Sequence, residues 1–203
     1  MSDSQVSAAP RYVQNGARTN ADSRGLETSA YEAARYDATL ATLPRTRYRM
    51  GLEIGCSIGG LTQRLGQRCN RLLAVDVDPE ALDRARRRCR DLPQVRFTAL
   101  GALGELPDDR FDLIVISDVA PGWSTSVLAR LRHTLVERML AGGHLLLVHG
   151  TPWMLDSSQT SLFHDALVED AGPSGPLCHL TSRREAAYRL DLFERRSPAL
   201  RTS

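Results

Sequence analysis

The chain has 203 residues, 42% hydrophobic and 25% charged, with a formal net charge of +2, which fits one globular domain of ordinary composition. No window approaches the roughly 18 uninterrupted apolar residues of a membrane-spanning helix. The opening MSDSQVSAAPRYVQNGARTN has no cationic start followed by an apolar stretch, so no membrane span or secretory signal is expected and the expected compartment is the cytoplasm.

In chain order, residues 1–29 are polar and without helical or strand period, and read as a flexible N-terminal arm. Ser29 can cap a helix whose Tyr31, Ala34 and Ala38 recur near helical spacing and which ends before Pro44. Short apolar runs of strand length follow: GLEIG (51–55), LLAVDV (72–77), VRFTAL (95–100), FDLIVIS (111–117) and HLLLVHG (144–150). Several lack polar alternation, as strands buried on both faces do. Helical periodicity lies between them at 61–69, 79–89 and 124–140, and again at 158–172, ending at Gly172. The β-α-β-α order predicts a mainly parallel sheet between two layers of helices, a Rossmann-like three-layer α/β sandwich. The last two segments, LCHLTS (177–182) and AYRLDLFER (187–195), are joined by a polar turn and read as an antiparallel hairpin. In the second, Tyr188, Leu190 and Leu192 alternate with Arg189 and Asp191. A single domain is expected over 30–196, with a disordered tail over 197–203.

All 26 basic residues are arginine, so Schiff-base lysines, the P-loop lysine and lysine-dependent catalytic groups are excluded. The four cysteines (56, 69, 89, 178) and five histidines form no C-x-x-C or H-E-x-x-H pattern, so no metal site is signalled. The chemistry-bearing motif is Glu53-Ile54-Gly55-Cys56-Ser57-Ile58-Gly59-Gly60, a strand end leading straight into a helix. Small residues there let backbone N–H groups approach a ligand at the strand edge. Asp76 ends the next strand, about 20 residues on, where a carboxylate can accept from both hydroxyls of a ribose. Asp78-Pro79 reads as cap and first helical residue. The loop lacks the second glycine of G-x-G-x-x-G, and Glu53 suits a cationic, amino-acid-bearing ligand better than a pyrophosphate.

The stretches LEIGCSIGGLT, LLAVDVDPEAL, FDLIVISDV and GGHLLLVHG together resemble the class I S-adenosylmethionine-dependent methyltransferases. Within them the chain is most similar to the nodulation protein S group of N-methyltransferases, from about Tyr31 to Glu194 and including a closing Y-R-L-D-L strand. The resemblance implies S-adenosylmethionine as cofactor. It assigns Glu53, Gly55, Cys56, Ser57 and Gly59 to the loop bordering the methionine part, and Asp76 and Val77 to ribose and adenine. Gly101 and Ala102 occupy the place where the family commonly has an acid near the adenine amine, and this departure predicts weaker or less selective cofactor binding. Ser117 and Asp118 match the strand end beside the methyl group. There the family often has aromatic residues, where this chain has Val119-Ala120-Pro121-Gly122-Trp123. The implied substrate is an amine on a small molecule or amino-oligosaccharide of the lipochitooligosaccharide type, with Trp123 and Trp153 as candidate stacking surfaces.

Methyl transfer to an amine needs a neutral nucleophile in line with methyl and sulfur. Asp118 and His149, both at strand ends, are the candidates for handling its proton. Each has a structural alternative, a helix cap or cofactor contact for Asp118 and a satisfied strand-end histidine for His149. Arg35, in the leading helix, can pair with the cofactor carboxylate or lie on the surface. The arginines of 84–90 face away from an Ala81, Leu82, Ala85, Cys89 stripe, which argues against nucleic acid as partner. Ser117-Asp118-Val119-Ala120-Pro121 is also similar to a stretch of the ribosomal RNA 2′-O-methyltransferases, whose catalytic lysines are missing here. A non-catalytic cofactor-binding protein is the other alternative.

Overall fold

The structure, a computed structural model, describes residues 30–100, 106, 108–119, 125–150, 157–186 and 188–197. The expected arm over 1–29, nearly all of the tail over 197–203, Gly101, Ala102, Trp123 and Trp153 lie outside the described residues. The elements are α1 (Ala30–Thr42), β1 (Tyr48–Ile54), α2 (Gly60–Gly66), β2 (Cys69–Asp76), α3 (Pro79–Arg88) and β3 (Val95–Ala99), followed by β4 (Phe111–Ser117), α4 (Thr125–Arg138), β5 (Met139–Gly150), α5 (Ser157–Asp170), β6 (Leu177–Arg184) and β7 (Tyr188–Arg195).

The strands form one seven-stranded sheet in the order β3-β2-β1-β4-β5-β7-β6. The first five are parallel. β7 pairs antiparallel with both β5 and β6, as the expected hairpin requires. Strand order reverses between β1 and β4, and a ligand crevice opens at such a switch point, outside the carboxyl ends of the strands.

Alternation along β4 explains why the sheet is covered twice. Ile114 and Ile116 join Leu131 and Leu135 of α4 and Phe163 and Leu167 of α5 on one face. Leu113 and Val115 face the other way, with Leu61 and Leu65 of α2 and, partly buried, Tyr36 and Leu40 of α1. Every residue of β4 is buried, so its sequence shows no polar alternation. Each such leucine or isoleucine contributes about 1.5–3 kcal/mol.

Several boundaries differ from the sequence expectation. Cys69 belongs to β2, not to the preceding helix. Met139 and Leu140 have left α4 and begin β5. Ala141-Gly142-Gly143 reads as a loop but is an irregularity inside the strand, since β4 advances from Phe111 to Leu113 while β5 advances from Met139 to His144. Gly142 sits at φ 69° there, a conformation that suits glycine. β3 is an edge strand and only partly buried. The face that α1 buries carries Glu32, Arg35 and Thr39, with Ala34 exposed. In β7 the polar residues Arg189 and Asp191 are buried as well as the leucines.

Candidate active site

The turn after β1 is shaped by close contacts. Gly55 has φ 86°, and a Cβ there would lie 2.3 Å from the Ser117 carbonyl oxygen and from Val119. Gly59, at φ 81°, caps α2, and a Cβ on it would reach the Ala85 backbone of α3 at 3.0 Å. These glycines let the turn press against the end of β4 on one side and against α3 on the other. Cys56 turns its side chain into a small cluster with Ala74 and Leu82, and burial pushes its thiol pKa up, so only its backbone is available to a ligand. Ser57 holds a left-handed conformation at φ 47°.

The loop is fastened by Asp76. One carboxyl oxygen accepts the Ser57 backbone N–H at 2.7 Å and the other the Asp78 N–H at 3.0 Å. Asp78 in turn caps α3, accepting from the Glu80 N–H, with Pro79 following as expected. Burial raises the Asp76 pKa, and these backbone donors work against the rise. A carboxylate has about four acceptor sites, so two N–H bonds leave room for a diol. Val77 beside it is 41% exposed, an apolar side chain left open at the edge of the crevice.

Glu53, the last residue but one of β1, is fully buried, and neither carboxyl oxygen has a hydrogen-bond partner among the described residues. Burial pushes its pKa up to about 8; the nearby Thr62 hydroxyl lowers it and the Asp76 charge raises it. Such a group is held protonated at neutral pH and is ready to ionise when a cation arrives.

Asp118 follows β4 at φ 53°, a left-handed position that aspartate tolerates better than most residues. One oxygen accepts the Gly150 N–H at 2.7 Å, tying the end of β4 to the end of β5, and the other accepts from Arg35 at 2.7 Å. Arg35, 4% exposed, also donates to Glu32 at 2.7 Å, and its Nη1 has no partner among the described residues. Burial raises the Asp118 pKa, but Arg35 and the Gly150 N–H together hold it below the ordinary aspartate value. Arg35 is therefore a buried residue bridging two carboxylates, and α1 is latched to the strand edge through it.

His149, also fully buried, shares a hydrogen bond of 2.9 Å between its Nδ1 and His164 Nε2, and its own Nε2 has no partner among the described residues. It is half satisfied, between the two readings the sequence allowed. The geometry thus gathers Glu53, Gly55, Ser57, Gly59, Asp76, Val77, Ser117, Asp118, Arg35 and His149 around the carboxyl ends of β1, β2, β4 and β5. Sequence reasoning missed Glu32, His164 and Asp191. Asp191 was findable, because it shares the parity of Phe193, which packs into the core on the α4 and α5 side of the sheet.

A family model for nodulation protein S, NodS, matches residues 15–158. The chain belongs to the NodS family. Nodulation protein S of Rhizobium tropici is 32% identical over 123 residues, covering 60% of this chain and 52% of that protein. Nodulation protein S of Sinorhizobium fredii is 29% identical over 125 residues, covering 60% of this chain and 57% of that protein. The matched region thus spans about half the length of these relatives. Among solved structures, a Pseudomonas syringae protein provisionally named a methyltransferase is 32% identical with a TM-score of 0.71, covering 82% of this chain and all of that one (100%). The N-methyltransferase NodS of Bradyrhizobium japonicum WM9, solved with S-adenosyl-L-homocysteine, has a TM-score of 0.75 at 22% identity, over 92% of this chain and 98% of that one. The last likeness is one of fold, and it matches the sandwich that the strand order predicts. Among the described residues no helix is long and apolar enough to cross a membrane.

Proposed function

We propose that this NodS-family chain is an S-adenosylmethionine-dependent N-methyltransferase acting in the cytoplasm on an amine of a small molecule or an amino-oligosaccharide. One observation carries the reading. Glu53 is a carboxyl buried without a partner at the base of a glycine turn, which is costly for the fold alone and useful to a cationic ligand. The other groups fit the same cofactor. Asp76 keeps acceptor capacity for the ribose hydroxyls, Val77 offers an apolar contact for adenine, and the spare Nη1 of Arg35 is a donor for the ligand's carboxylate. Gly101 and Ala102 would border the adenine amine.

When bound, the cofactor supplies a methyl group activated by a sulfonium. The chain's task is then positioning, which can contribute several kcal/mol to the lowering of the barrier. Asp118, held ionised by Arg35, favours an amine-bearing substrate electrostatically, and its bond to Gly150 fixes the gap between β4 and β5. The one sheet formed by the described residues supports reading 30–196 as a single domain. The acceptor class comes from the NodS relatives, and a chitooligosaccharide with a free terminal amine is the first candidate.

Calorimetric titration of wild type and Asp76→Ala with S-adenosylmethionine and S-adenosylhomocysteine tests the cofactor. Micromolar binding that disappears in the variant is expected. Mass spectrometry then follows methyl transfer to chitotetraose with one free terminal amine. Binding of NADH instead, or of neither, would overturn the reading, and tight binding without transfer to any amine would leave a non-catalytic binding protein.

A further inference from the structure

Behind the strand edge lies a buried polar chain that cofactor binding does not need. His149 on β5, His164 on α5 and Asp191 on β7 are all 0% exposed in a region that is otherwise core. His149 Nδ1 and His164 Nε2 are 2.9 Å apart, and His164 Nδ1 is 2.6 Å from Asp191 Oδ2. The same Asp191 oxygen accepts from Arg189 Nε at 2.8 Å, and its other oxygen is 2.9 Å from His179 Nε2. Among the described residues no group of histidines, cysteines and carboxylates is arranged to hold a metal ion, and the ring nitrogens here are used on one another.

The chain of bonds has one consistent proton assignment. Asp191 is held ionised: burial acts against this, but the bonds from His164 and Ser182 and the Arg189 charge prevail. An ionised carboxylate only accepts, so His164 Nδ1 must carry a proton. Burial, the largest influence on either ring, lowers the pKa of both histidines, His149 to about 3, and keeps them neutral. A neutral His164 with its proton on Nδ1 presents a lone pair at Nε2, and only an N–H can face that. His149 therefore carries its proton on Nδ1, and its Nε2 is a bare acceptor. The two nitrogens of an imidazole point away from each other, so with Nδ1 facing α5 the Nε2 faces away from it. The Asp118 and Arg35 charges both act on this ring, and the next residue, Gly150, is the one bonded to Asp118.

We infer that Asp191 and His164 are positioning residues that lock His149 into the Nδ1–H tautomer, so that His149 Nε2 accepts an N–H from the substrate amine and aims its lone pair at the methyl group. This rests on the methyltransferase reading. A tautomer fixed from behind leaves no choice of donor or acceptor at the site, and an amine held by one N–H keeps its lone pair free. A buried acceptor without a partner costs stability, which substrate binding recovers.

The test separates the polarity of the ring from its bulk. In His149→Asn the side-chain amide replaces Nδ1–H toward His164 but has nothing at the Nε2 position. With a thermal midpoint and cofactor Kd close to wild type, kcat/KM for the chitotetraose amine is expected to fall about a hundredfold. In His164→Leu the acceptor that holds the proton on His149 Nδ1 is gone, and an imidazole without that partner favours its proton on Nε2. Long-range 1H–15N correlation spectra of the free protein should show His149 Nε2 unprotonated in wild type and protonated in this variant. A protonated Nε2 in wild type, or His149→Asn methylating at the wild-type rate, would overturn the inference. Wild type that binds no S-adenosylmethionine overturns the functional reading, while the spectra still decide the tautomer.

Discussion

Replacing Glu53 by glutamine should stabilise the fold and weaken the site, and the effect has a sign fixed by pH. The carboxyl rises from 4.5 in an ordinary setting to about 8 when folded. Below the lower value both states are protonated and the shift contributes nothing. Between the two, the unfolded chain has released its proton and the folded one has not, so stability falls as pH rises, by about 1.4 kcal/mol per unit. Carried to pH 8 this is a penalty of roughly 5 kcal/mol. Glutamine removes it but buries an amide without partners, a cost of about 1–3 kcal/mol. Glu53→Gln should then be more stable than wild type by about 2–4 kcal/mol near pH 8, or roughly 5–15 °C in melting midpoint, with no advantage near pH 4. Urea unfolding followed by circular dichroism across this range measures the difference directly. A gap between variant and wild type that stays flat with pH would refute the argument. The same substitution should cost affinity for S-adenosylmethionine, since glutamine cannot ionise against a cation.

Two further perturbations probe the frame around the crevice. Gly55→Ala places a Cβ 2.3 Å from the Ser117 carbonyl oxygen at a positive φ, and overpacking plus the left-handed penalty predict a loss of about 3 kcal/mol in urea unfolding; a loss below 1 kcal/mol would mean that β4 yields easily. Arg35→Gln removes the cation paired with the Glu32 and Asp118 carboxylates, one buried and one a third exposed, and should cost about 3 kcal/mol at neutral pH. Asp118 has a lowered folded pKa, so its contribution is present above the ordinary aspartate value and disappears as pH falls through the folded one. The wild-type advantage over Arg35→Gln should accordingly shrink as pH falls below the ordinary aspartate value and through the lower folded one, where Asp118 takes up a proton.

The parts of the fold legible in the sequence are those where burial alone decides. β4 is inaccessible on both faces, so FDLIVIS needs no polar alternation and reads directly as a central strand. The Asp78-Pro79 cap is local chemistry and forms where it is read. Boundaries that depend on a neighbour were not legible. Ala141-Gly142-Gly143 has the composition of a turn, and only pairing of Met139 with Phe111 keeps it inside β5. The glycine turn after β1 was legible because its glycines and Asp76 are close in sequence and act through backbone geometry.

Arg189 and Asp191 show where pattern reading fails and what that failure means. Alternating with leucines, they signal a hairpin strand and not a buried charge, because burying a charge without a partner is costly. The partners exist, but they come from α5 and β6, 27 and 12 residues away from Asp191. No local pattern announces them. A core layer that tolerates an ionised aspartate, two neutral imidazoles and an arginine gains nothing in stability over leucines of the same volume. Its expense is explained if the last imidazole must present one particular nitrogen to the crevice, and the same logic applies to Glu53, a buried carboxyl whose bonds the fold leaves unmade.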